Sequence, residues 1–71
     1  MDKQIKGDAV KALDDAQQLI TVQRDTLQAE FDDMSEKQQE SEKGEALQLA
    51  LEQLELASDA TETALATIRD L

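Results

Sequence analysis

The acidic side chains are the residues of this chain that are best suited to chemistry, and their spacing indicates binding rather than catalysis. The adjacent pairs Asp14–Asp15 and Asp32–Asp33 diverge by about 100° on a helix, so neither pair converges on one proton or one metal ion. The chain has no histidine, cysteine or tyrosine, and its serines have no base available except carboxylates and lysines. We therefore expect no enzyme, no catalytic residue, no cofactor and no metal site.

A line of five carboxylates in the second half of the chain is the candidate partner-binding surface. It consists of Glu45, Glu52, Glu55, Asp59 and Glu62. These positions share one side of a helix over about 25 Å, and the spacing places them opposite the apolar seam. No lysine or arginine lies between Gly44 and Ile68. The line is either a solvated outer face or a row of charges resembling a phosphate backbone, which could occupy the basic groove of a nucleic-acid-binding protein.

The overall charge restricts the partners. Seventeen acidic against seven basic residues give a formal net charge of −10, which disfavours direct binding to nucleic acid or to an anionic membrane. A basic protein is the natural partner. The N-terminal residues lack the apolar core of a secretory signal, and no window approaches about 18 uninterrupted apolar residues. We expect a cytoplasmic location.

The elements that position these residues are two long helices joined by a corner. Residues 35–45 contain no apolar side chain, which marks a connection. We predict a single all-α domain over residues 1–71, an antiparallel, coiled-coil-like hairpin with helix 1 at about 3–33, the corner at 34–42 and helix 2 at about 43–70. Asp2 or Asp8 can cap helix 1. Ser35 and Gln38 have capping-box spacing, which predicts a short helical turn over residues 36–39, and Ser41 is the predicted cap of helix 2.

Apolar residues at steps of three and four define the predicted interface between the helices. Helix 1 contributes Val10, Leu13, Ala16, Ile20, Leu27, Phe31 and Met34. Helix 2 contributes Leu47, Ala50, Leu54, Ala57, Thr61, Ala64, Ile68 and Leu71, widened by Leu51 and Leu65. Gln23 or Arg24 fills a gap in the first stripe and is a candidate for a buried hydrogen bond that fixes the register. Gly44 is either a tolerated weak position or a place where Phe31 or Met34 packs.

Each helix also has apolar residues away from this interface. They are Leu19 and Val22 on helix 1, and Leu49 and Leu56 on helix 2. Scattered surface leucines are one interpretation. Because so short a chain has few core positions, the other is self-association into a homodimer that completes a four-helix bundle.

The corner carries a motif. The run Phe31-Asp32-Asp33-Met34-Ser35-Glu36, then Gln39 and Ser41-Glu42-Lys43-Gly44-Glu45, resembles one found in small acidic helical-hairpin proteins of bacteriophages and integrated mobile elements. This chain has Asp33 where those proteins have Asn, Ser35 for Pro and Lys43 for Arg. The resemblance implies a phage-type origin, action in the host cytoplasm and no catalytic residues.

Three functions follow as expectations. The first is a small acidic interaction protein that binds a host protein or another copy of itself through its helical faces. The second is a nucleic-acid mimic that inhibits a host DNA- or RNA-binding protein through its acidic face. The third is a structural accessory component of a phage or mobile element.

Overall fold

The computed structural model describes residues 2–71, and in that range the chain is all-helical, with no strand. Helix α1 spans Lys3–Asp32, the one-turn helix α2 spans Glu36–Gln39, and α3 spans Glu42–Arg69. α1 packs along α3, and the Cα atoms span 53 × 14 × 13 Å. The predicted all-helical hairpin is confirmed, and the long helices begin and end within one residue of the predicted positions.

The helix ends follow the local capping signals. The Asp2 carboxylate accepts hydrogen bonds from the backbone amides of Gln4 (2.8 Å) and Ile5 (3.4 Å), so α1 begins at the first of its two possible caps. Ser35 Oγ accepts from the Gln38 amide at 3.2 Å, and Gln38 Oε1 accepts from the Ser35 amide at 3.0 Å. Both halves of the predicted capping box are therefore formed. Each of these bonds satisfies an amide that the helix itself leaves unpaired.

The interface between α1 and α3 is thin. Most residues of the two predicted stripes are half-buried. Among the described residues, one large apolar side chain is buried, that of Leu65, which is 6% exposed. Leu71 was wrongly placed in the interface: it is 65% exposed, because α3 ends at Arg69 and the last residue lies past the packed part of the helix.

One row of α3 is the most completely covered. Gly44, Ser58 and Leu65 are buried and Leu51 is half-buried, and these four residues recur every seven positions. Since a seven-residue period keeps residues in register along a helix partner, Leu51, Ser58 and Leu65 follow α1, whereas Gly44 lies against the end of α2. This row lies beside the predicted line of Leu47, Leu54 and Ile68. The centre of the observed interface is therefore displaced from that line toward the buried row.

Gly44 is required by backbone packing. A Cβ at this position would lie 2.2 Å from the carbonyl oxygen of Gln39 and 2.6 Å from that of Gln38. Both earlier interpretations were wrong: the position is not a tolerated weakness, and the close neighbours are the last carbonyls of α2 rather than the side chains of Phe31 or Met34. α3 can begin directly against the end of α2 because Gly44 has no side chain.

Two further contacts fix the corner to the ends of the long helices. The Gln39 amide nitrogen donates to the backbone oxygens of Phe31 (3.0 Å) and Met34 (3.3 Å), which lie at and beyond the end of α1. The Ser41 hydroxyl donates to the carbonyl of Gln38 and accepts from the Gly44 amide at 3.4 Å. The corner is therefore a hydrogen-bonded structure and positions Phe31 at its edge.

A candidate interaction surface beside the helix interface

The five predicted partner-binding carboxylates are all exposed on α3. We call Glu45, Glu52, Glu55, Asp59 and Glu62 the acidic face. The prediction that this face lies opposite the apolar seam was wrong. Glu62 Oε1 accepts a hydrogen bond from Gln17 Nε2 of α1 at 3.3 Å, so the acidic face borders the groove between the helices. The cause is the buried row of Gly44, Leu51, Ser58 and Leu65, which moves the interface toward these carboxylates.

Two neighbouring depressions lie along this groove at the corner end. The first is lined by Gln28, Phe31, Gln48, Leu51, Glu52 and Glu55. The second is lined by Phe31, Glu36, Gln39, Glu40, Glu45 and Gln48. Five carboxylates thus surround the half-buried ring of Phe31, the one aromatic residue of the chain. No lysine or arginine is among the residues that line the two depressions, so the local charge is uniformly negative.

The basic residues that bridge the two long helices lie near the ends of the hairpin. Arg69 forms an ion pair with Asp14 in which one nitrogen, Nη2, lies 3.2 Å from both carboxylate oxygens, and Lys6 Nζ donates to the Arg69 carbonyl at 2.8 Å. Lys43 pairs with Glu30 at 3.4 Å beside the corner. These side chains are largely exposed, so each pair adds little stability. Among the described residues no ion pair reaches the middle of the acidic face, since Arg24, which lies between Gln17 and Gln28 on this side of α1, pairs with Asp25.

A polar contact is buried in the helix interface, but at a different layer from the predicted one. Gln23 is exposed, and Arg24 is half-buried with its guanidinium 3.7 Å from Asp25 of the same helix. The bond between the helices is instead donated by Gln17 Nε2 to Ser58 Oγ at 2.7 Å. Ser58 is only 6% exposed, and the Gln17 Oε1 atom is buried without a hydrogen-bond partner.

A sequence signal for this contact exists and was missed. Ser58 stands midway between Leu51 and Leu65, seven residues from each, so it interrupts an apolar row. A polar residue in such a row needs a partner from the facing helix.

The residues considered for catalysis have structural or solvent-exposed positions. Ser35 and Ser41 cap helices, and Ser58 bonds to Gln17. Asp14 pairs with Arg69 whereas its neighbour Asp15 is exposed. In the part of the chain that the structure describes, no three carboxylates converge as a metal site. Within residues 2–71, each helix is either too short or too polar to span a lipid bilayer.

The four predicted self-association residues are exposed on the hairpin. Leu19 is 65%, Val22 56%, Leu49 58% and Leu56 61% exposed. Aliphatic side chains of this size gain most from leaving water, so these residues are available to a partner surface. Comparison with known proteins adds no identification: no family model, curated protein or solved structure matches the chain.

Proposed function

We propose that this protein is a non-enzymatic interaction protein whose acidic face binds a basic surface of another protein. The observation that carries the proposal is the exposure of all five carboxylates along a stretch of α3 that contains no lysine or arginine. Exposed carboxylates that form no ion pair with their own chain raise the local concentration of a cationic partner and orient it as it approaches.

The position of Phe31 suggests how a basic side chain binds. Its ring lies between the two depressions, with Glu52 and Glu55 on one side and Glu45 on the other. Lysine and arginine have long apolar stems that pack on exposed apolar surface while the charged head remains in solvent or meets a carboxylate. A stem packed on Phe31 would place its head among these carboxylates.

Charge spacing favours a basic protein segment over full mimicry of nucleic acid. Five carboxylates over about 25 Å of helix amount to one charge per about 6 Å of axis. A single nucleic-acid strand has one per about 3.4 Å, and a duplex one per about 1.7 Å. The straight row nevertheless supports a nucleic-acid mimic as the second candidate. In that case the partner is a DNA- or RNA-binding protein, and nucleic acid competes with this chain for it.

The test compares two triple variants that each change the net charge from −10 to −7. The first combines Glu52→Gln, Glu55→Gln and Asp59→Asn on the acidic face. The matched control combines Asp8→Asn, Asp15→Asn and Asp33→Asn, which are exposed positions elsewhere on the hairpin. Binding is measured calorimetrically with a lysine-rich peptide, and with any protein captured from a bacterial lysate.

The first triple variant is expected to lose at least tenfold in affinity, about 1.4 kcal/mol, whereas the control stays within about twofold of wild type. Binding of the wild type should weaken steeply as salt screens the exposed charges. Equal losses in both variants would show that only net charge matters. An affinity that changes neither with the acidic-face substitutions nor with the salt concentration would eliminate the acidic face as a binding site.

Self-association is the second part of the proposal. Leu19, Val22, Leu49 and Leu56 supply apolar area that the hairpin leaves in solvent, while its own interface is mostly half-buried. A small chain with so little core is commonly stabilised by oligomerisation. We therefore expect a homodimer in the form of a four-helix bundle, whether or not a basic partner is present.

A further inference from the structure

The charges of the hairpin are distributed unequally between its two sides. The period of the α-helix shows on which side of the hairpin each exposed residue lies, relative to the contacts that join α1 and α3. On one side the helices are bridged by the Gln17–Glu62 hydrogen bond and the Arg69–Asp14 ion pair, and this side contains the acidic face. On the other side, the Lys43–Glu30 ion pair joins the helices at the corner end, and beyond it α3 presents residues without charge from position 46 to position 67. Its row there consists of the exposed Ala46, Gln53 and Ala60 and, at the inner edge, the half-buried Ala50, Ala57 and Ala64.

α1 contributes a matching row on this second side. Because the helices are antiparallel, the flank of α1 away from Gln17 and Gln28 lies beside the flank of α3 away from Glu55 and Glu62. That flank of α1 presents Ala9, Ala12, Ala16, Leu19 and Gln23. We call the two rows together the neutral face. Val22, Leu49 and Leu56 lie along its outer edges, with the acidic residues Asp8 and Asp15 at the α1 edge.

We propose that the neutral face is the dimer interface and that its occupant is the neutral face of a second copy of this chain. The inference deepens the self-association proposed above and does not depend on the binding of a basic partner. Each copy has a net charge of −10, so two copies repel each other in most orientations. Contact through the neutral faces places the two acidic faces on opposite outer sides, where their repulsion is weakest.

The size and shape of the neutral face fit this occupant. The α3 row over residues 46–67 extends about 32 Å, the α1 row over residues 9–23 extends about 21 Å, and each helix is about 10 Å wide. The two rows therefore offer roughly 530 Å² per copy, or about 1,060 Å² for the pair, which clears the roughly 1,000 Å² expected of a biological interface. The small alanine side chains let the facing helices approach closely, while Leu19, Leu49 and Leu56 supply larger apolar groups. The resulting dimer displays two acidic faces and is bivalent toward a basic partner.

Two double variants, each adding two negative charges at exposed positions, test the assignment. Ala12→Glu with Ala60→Glu changes the neutral face. Gln18→Glu with Gln48→Glu is the matched control on the acidic side. Glutamate is a good helix former, so both pairs suit the hairpin. Sedimentation equilibrium from low micromolar to submillimolar concentration gives the mass relative to the 7.9 kDa chain.

Wild type and control are expected at twice the chain mass, and the neutral-face variant at the chain mass or with a dimer dissociation constant raised at least tenfold. A monomeric wild type, an unchanged dimer in the neutral-face variant, or equal weakening in both variants would overturn the assignment. If the neutral-face variant does not fold, the melting temperature of the wild type is measured at several protein concentrations instead. The melting temperature of a dimer rises with concentration. A melting temperature that does not change with concentration refutes dimerisation.

A second measurement separates this inference from the proposed function. A lysine-rich peptide titrated into the neutral-face variant should still bind, because the acidic face is unchanged. Peptide binding by a monomeric wild type would refute the dimer and leave the proposed function standing. A wild-type dimer that does not bind the peptide would refute the proposed function of the acidic face and leave the proposed dimer interface standing.

Discussion

Replacement of the two helical glycines by alanine should have opposite effects, although both lie inside helices. On helix propensity alone, each substitution stabilises by up to about 1 kcal/mol, since glycine is the poorer helix former. At Gly7 the added Cβ has no neighbour within 4 Å apart from the adjacent backbone of its own helix, so Gly7→Ala should realise a gain of about 0.4–1 kcal/mol. It is the matched control for the other position.

At Gly44 the same methyl group meets backbone atoms. The Cβ would lie 2.2 Å from the Gln39 oxygen, 2.5 Å from its carbonyl carbon and 2.6 Å from the Gln38 oxygen. Relief requires a backbone shift approaching 1 Å, which pulls α2 away from α3. The displaced carbonyls belong to the residues that receive the Ser41 hydrogen bonds and that hold the end of α1. Overpacking of this kind costs about 1–3 kcal/mol, and weakening of the Ser41 cap adds about 1 kcal/mol.

Gly44→Ala is therefore expected to lower the free energy of unfolding by about 1–3 kcal/mol after its propensity gain is included. Urea unfolding of wild type and both variants, followed by far-ultraviolet circular dichroism at one protein concentration, measures the differences. For a chain of this size, each kcal/mol corresponds to about 4–8 °C in melting temperature. A Gly44→Ala protein as stable as Gly7→Ala would show that the corner can rearrange freely and would refute the packing argument.

Three further predictions concern the hydrogen bonds and the charge. Ser58→Ala alone should lower the free energy of unfolding in urea by about 1 kcal/mol. Adding Gln17→Leu should restore the wild-type stability or raise it further, because the buried amide oxygen without a hydrogen-bond partner is removed. A double variant less stable than Ser58→Ala would contradict this. Gln39→Leu should cost about 1–2 kcal/mol, since the carbonyls of Phe31 and Met34 lose a donor, and an unchanged unfolding midpoint would refute it. Added sodium chloride should raise the melting temperature by screening the excess negative charge, and a fall on salt addition would mean that the surface ion pairs dominate.

Local features of the sequence determined the elements of this fold. Asp2, Ser35 and Ser41 cap helices in the positions that their side chains favour, and the capping box between Ser35 and Gln38 formed as its spacing predicts. Regular apolar spacing also identified the faces of α1 and α3 that meet. These signals act within a few residues along the chain, where the covalent geometry of a helix fixes which groups can reach each other.

The tertiary structure decided how far each helix is rotated about its own axis, and most of the candidate sites depend on that rotation. It put the row through Ser58 at the centre of the interface, moved the acidic face to the edge of the groove and gave Gln17, rather than Gln23 or Arg24, the buried hydrogen bond. It also brought the carbonyls of α2 against Gly44. A stripe of half-buried residues tolerates small rotations at little cost, so only the packing of two complete helices against one corner selects a single arrangement.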